Sequence, residues 1–104
     1  MAIVVHIVNT PKRDVREAYE ASWTRFDEHG ARHPVGRRSH TAWLVEDVLH
    51  VVDVWDSVED MNAFMQIAGQ IIEESGMTIA GQPEVGELLN VVYPASSGAR
   101  ATPA

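Results

Sequence analysis

The chain has 104 residues, 45% of them apolar and 22% charged, the composition of one globular domain with no room for a second core. It has no cysteine, which excludes disulfide scaffolds, thiolate nucleophiles, Cys-ligated zinc and iron–sulfur clusters. The formal charge is −7 with only eight basic residues, so a polyanion meets net repulsion and no nucleic-acid partner is expected.

Residues 2–9, AIVVHIVN, are rich in β-branched side chains and predict a first strand. Thr10 and Pro11 then read as a helix cap and a first helical residue. Val15, Ala18, Tyr19, Trp23 and Phe26 recur at helical spacing before Gly30, which predicts a helix over 11–29. After a loop through Pro34, residues 38–45 and 48–55 predict two strands joined at Glu46-Asp47 as a hairpin. Ser57 caps a second helix, with acids in its first turn and Met61, Phe64, Met65, Ala68 and Ile72 as its apolar stripe. That helix should end near Gly76. A loop through Gly81 and Pro83 leads to a last strand over 85–93. Residues 95–104 are small and polar and are expected to form a disordered tail behind a domain of 1–94. No apolar run approaches the ~20 residues of a membrane helix, and the N-terminal residues lack a basic segment and a cleavage site. The expectation is a cytoplasmic protein with no membrane partner.

The order βαββαβ predicts a ferredoxin-like α+β fold, with a four-stranded antiparallel sheet and both helices on one face. The first strand is apolar on both sides, with Ile3, Val5 and Ile7 against Val4 and Val8. Residues 48–54 repeat the pattern. A sheet apolar on both faces must be covered on both, and a second copy of the sheet is the simplest cover. A homodimer is therefore expected.

The hairpin also sets a register. A two-residue loop pairs Val45 with Val48, and so places His40 opposite Asp53 and Arg38 opposite Trp55. Strand alternation puts these four on one side with Ala42, Leu44, Leu49 and Val51. The other side carries Trp43 across from His50, with Val52 and Val54. A carboxylate bonded to one imidazole nitrogen fixes the tautomer and leaves the other nitrogen for a ligand proton. Arg38 would donate to an anion or oxyanion, and Trp55 would form an aromatic wall. The same His–Asp pair also reads as a structural bond closing a sheet edge, and both readings stay open. His6 and His50 read as packed or solvated residues of the opposite face. No three ligand residues share a face, so no metal is expected, and no phosphate loop or nucleophile signature calls for a bound cofactor.

The segments Gly36-Arg37-Arg38-Ser39-His40 and Val51-Val52-Asp53-Val54-Trp55-Asp56-Ser57, set in a βαββαβ order over 2–93, resemble the dimeric α+β barrel proteins. These include the antibiotic biosynthesis monooxygenase family and small bacterial relatives without assigned activity. The resemblance implies two chains joined sheet to sheet, with a ligand cavity between sheet and helices. Some members oxidise polycyclic aromatic polyketides without metal or flavin; others cleave haem, isomerise lactones or cyclise polyketides. Trp55 matches the cavity-lining Trp of the oxygenase and haem-degrading members. Met65 stands where the haem degraders place a His, which argues against haem cleavage. The polar residue of their first strand falls near Val5, a second departure. The implied pocket holds His40, Asp53 and Arg38, with Asn9 from the first strand, Tyr19 from the first helix, and Val51 and Met65 on its wall. The expected function is a cofactor-independent enzyme acting on a small aromatic or polyketide-like molecule, with His40 as general acid/base and Asp53 as its orienter. It would act as a monooxygenase, or as a cyclase or isomerase. The rival reading is a non-catalytic dimeric protein, ligand-binding or stress-associated, whose His–Asp pair is structural.

Overall fold

β-Branched residues dominate the first strand, and it forms the centre of the sheet. The structure, a computed structural model, describes residues 1–92. In chain order it contains β1 (Ile3–Pro11), α1 (Val15–Glu28), β2 (Arg37–Val45), β3 (Val48–Trp55), α2 (Val58–Glu74), β4 (Met77–Ile79) and β5 (Glu84–Glu87). The sheet is antiparallel with order β2-β3-β1-β4, and β5 also pairs with β1. This is the ferredoxin-like α+β arrangement read from the sequence, with five strands rather than the expected four because β4 and β5 share one edge of β1. The expected tail over 95–104, and the domain limit at 94, lie outside the described residues.

Three element boundaries differ from expectation, each for a local reason. Thr10 and Pro11 do not open the helix. They pair with Thr78 and Met77 of β4, so β1 runs on through them. Asp14 caps α1 instead, its carboxylate accepting from the Glu17 N–H at 3.0 Å. The segment after Gly76, expected as a loop, supplies β4. The last strand is only Glu84–Glu87, not 85–93. Both short strands lie on one edge of β1, interrupted where Gly81 takes φ +68° and Pro83 lacks a donor. α2 begins as expected, with the Ser57 hydroxyl accepting from the Asp60 N–H at 3.1 Å.

Alternation along the strands sorts the side chains onto two faces. Ile3, Val5 and Ile7 of β1 and Leu49, Val51 and Trp55 of β3 are buried against Val15, Ala18 and Phe26 of α1 and Phe64, Ala68 and Ile71 of α2. The outer face carries Val4, Val8, Val52 and Val54, all half-buried, and Trp43, which is 40% exposed. There the His6 and His50 side chains lie 3.1 Å apart, Nε2 to Nδ1, and the Trp43 ring stacks on both.

Gly36 opens β2 with φ +86°, and its carbonyl accepts from the Asp56 N–H at 2.8 Å. A methyl group there would approach the Asp60 Cβ to 2.7 Å. Gly36→Ala should therefore lose about 2–4 kcal/mol from backbone strain and overlap together. Gly81→Ala, with φ +68° but open space around it, should lose less. Urea unfolding of both checks this; equal losses would mean that contact with Asp60 contributes nothing.

Candidate functional site

Between the sheet and the two helices a cavity opens at the β2 side of the molecule. Its walls include Asn9, Tyr19, Trp23, Arg37, His40, Val51, Asp53, Trp55 and Met65. The expected pocket residues are thus brought together, with one exception. The space open to the centre of a water-sized sphere is about 50 Å³. That is room for a few waters, well under the roughly 300–1,000 Å³ of pockets that hold drug-sized ligands.

The hairpin register holds at its chemical centre. The Glu46-Asp47 turn, with Glu46 at φ 56°, pairs Val45 with Val48 and brings His40 opposite Asp53. His40 Nδ1 lies 2.7 Å from Asp53 Oδ1. Asp53 is 5% exposed, and an ionised carboxylate only accepts, so Nδ1 carries the proton and donates. Nε2 is then the acceptor of a neutral ring. It is not free for a ligand, contrary to the expectation. Tyr19, reaching down from α1, places its hydroxyl 2.9 Å from Nε2, to which it donates when the ring is neutral. The result is a chain Tyr19–His40–Asp53 running from the cavity into the sheet. The Tyr19 and His40 rings lie nearly parallel, 8° apart, and Trp23 meets both edge-on.

Arg38 is the exception. A β-bulge between Arg37 and Ser39 inserts one residue into β2, so that Arg37, not Arg38, faces Trp55. Arg38 turns outward and pairs with Asp56, with half its side chain exposed. It does not reach the cavity wall. Arg37 does, with its guanidinium over the rings of Trp23 and Phe64 at 5.7 and 5.4 Å. Burial pushes the Arg37 guanidinium below its usual range, while Asp53 and Tyr19 pull it the other way.

Trp55 is where the sequence places it, but at 1% exposure it is the floor of the cavity, tilted against Phe64 at 5.3 Å. Trp23, which the sequence places only on the apolar stripe of the first helix, is the aromatic wall beside His40. Its position four residues after Tyr19 on one helix was the available signal. Asn9, 3% exposed, lines the cavity with its Oδ1 buried and without a donor among the described residues. A buried acceptor left unpaired costs roughly 1–3 kcal/mol, so a ligand hydroxyl would be well received there. Among the described residues no three His, Asp or Glu side chains are placed to hold a metal ion, and no helix is long and apolar enough to cross a membrane.

No protein-family model matches the sequence, and no curated protein matches it. Solved structures do. SnoaB, a cofactor-independent oxygenase from Streptomyces nogalater, superposes with TM-score 0.64 at 12% identity, over 88% of this chain and 96% of its own. Rv0793 from Mycobacterium tuberculosis does so with TM-score 0.63 at 16% identity, over 89% and 100%. A protein of Caulobacter crescentus, provisionally named an antibiotic biosynthesis monooxygenase, gives 0.56 at 15% identity, over 88% and 91%. At these identities the common property is the fold, and there the resemblance read from the sequence is borne out: this chain has the ferredoxin-like α+β fold on which SnoaB and the other two are built.

Proposed function

We propose that the chain is a cofactor-independent enzyme that removes a proton from a small aromatic molecule. The observation that carries this reading is the Tyr19–His40–Asp53 chain at the wall of an otherwise apolar cavity. A phenol or enol in the cavity would give its proton to the Tyr19 oxygen as the Tyr19 proton passes to His40 Nε2. The products are the substrate anion and an imidazolium paired with Asp53. His40 thus acts through Tyr19 rather than directly. The anion could then meet O2, as in a monooxygenase, or take its proton back at another atom, as in an isomerase or cyclase. The tight cavity favours a single ring, entering in part, over an extended polyketide. The fold shared with a cofactor-independent oxygenase supports the first route.

The test is oxygen uptake and product analysis with naphthols, anthrones and quinols, wild type against Tyr19→Phe. Turnover in the wild type and its collapse in the variant support the proposal. A second reading, a ligand-binding protein without catalysis, draws on one feature: every member of the chain is already hydrogen-bonded within the protein. Binding without turnover across the panel would favour it.

The working form is proposed to be a homodimer joined through the outer sheet face. Half-buried Val4, Val52 and Val54 and the exposed Trp43 form an apolar surface there, and Leu89 and Val92 stand 89% and 84% exposed at the end of the described chain.

A further inference from the structure

Arg37 is the one group in the cavity wall whose charge the proton-transfer chain does not use. Resting on the reading of this cavity as a ligand site, we infer that the ligand is a small aromatic acid whose carboxylate is held by Arg37 at the mouth, with its ring presented to Tyr19.

Three observations carry this. Arg37, Trp23 and His40 line both the cavity and an adjoining outer cleft, so Arg37 stands between the two. Secondly, it is the arginine of the cleft without a contact ion pair among the described residues. Arg32 and Arg38 share the cleft, but Arg32 pairs with Asp27 at 2.8 Å and Arg38 with Asp56. Arg37 forms no ion pair among the described residues. It donates through Nη2 to the Arg32 carbonyl at 2.7 Å, one of the five donors a guanidinium offers. Asp53 is bonded to His40 and acts on Arg37 only through space, leaving the remaining guanidinium donors open. Thirdly, the guanidinium rests over the Trp23 and Phe64 rings, and the Trp23 ring centre lies 5.2 Å from that of His40. Arg37 and His40 thus contact the same Trp23 ring, and a carboxylate on Arg37 holds its attached ring on the side of the cavity that carries the Tyr19–His40 pair.

The chemistry of the match is specific. A half-desolvated guanidinium binds a carboxylate through paired, charge-assisted hydrogen bonds, which a neutral isostere cannot supply. One guanidinium without a contact ion pair suits one carboxylate. On a protein of net charge −7, such a site also draws a small anion to the one opening that favours it.

The test compares 4-hydroxybenzoate with its neutral isostere 4-hydroxybenzamide, followed by NMR titration of the Trp23 and Trp55 indole N–H signals. The acid should bind the wild type at least about tenfold more tightly than the amide. Arg37→Gln should erase that difference while still binding the amide, which shows that the cavity remains folded. Arg37→Lys should keep part of it, having the charge without the planar fork. Equal binding of acid and amide by the wild type, or a preference that survives in Arg37→Gln, would overturn the assignment and leave the proton-transfer reading standing. If neither probe binds the wild type, the cavity is not a ligand site, and both readings fall.

Discussion

Tyr19→Phe is expected to lower turnover by about 10²–10⁴-fold, the usual contribution of a positioned acid or base. The substitution keeps the ring that packs against Trp23 and His40 and deletes only the hydroxyl bonded to His40 Nε2. One part-buried hydrogen bond is lost, which costs about 1 kcal/mol of stability, roughly 4–8 °C in Tm for a domain of this size. Asp53→Asn attacks the other end of the chain. Its amide can donate to Nδ1, which moves the ring proton to Nε2 and removes the acceptor that Tyr19 uses. Turnover should fall by a similar factor. The double variant should be little worse than either single one, because the groups act as a unit. Steady-state rates on the best substrate of the panel measure all three. Full turnover in Tyr19→Phe would remove Tyr19 from the chemistry. A loss of roughly 1–3 kcal/mol in Asp53→Asn with ligand binding unchanged and no wild-type turnover would make the chain a structural one.

Val52→Asp should abolish the dimer. Val52 lies at the middle of β3 on the outer face, paired with His6 on one side and Thr41 on the other. A sheet-to-sheet interface of about 1,200 Å² or more would bury it, and a carboxylate there would be desolvated without a partner. A penalty of about 4 kcal/mol weakens the dimer by roughly 10³-fold, and two-fold symmetry introduces the charge twice. Sedimentation at micromolar concentration should show a dimer for the wild type and a monomer or aggregate for the variant. A wild-type monomer would remove the homodimer from the proposal.

The reach of the sequence follows from which signals are local. Strand alternation and a two-residue turn are local, so the pairing of His40 with Asp53 and of Trp43 with His50 could be read directly and is observed. The bulge could not. It sits where Gly36 leads into two adjacent arginines, and either arginine satisfies an inward or an outward position by type. The choice is made by the Arg38–Asp56 ion pair and the closing Gly36–Asp56 bond, which are contacts across the hairpin. The bond between Tyr19 and His40 depends on how α1 settles on the sheet, which no pattern within either element reveals. Likewise β4 is three residues long and exists because β1 extends to meet it. A segment that short carries too little periodicity to announce itself.

The bulge divides the hairpin into two parts with different tolerances. From Ser39 to the turn, residues are counted rigidly, and a slip of β2 by one would carry His40 to the face away from Asp53. Before Ser39 the count is loose, since one extra residue is already absorbed there. Deleting Arg38 would restore an unbroken ladder with Arg37 still opposite Trp55, and with nothing moved between His40 and the turn. The start of β2 therefore tolerates a change of length that the stretch carrying His40 does not.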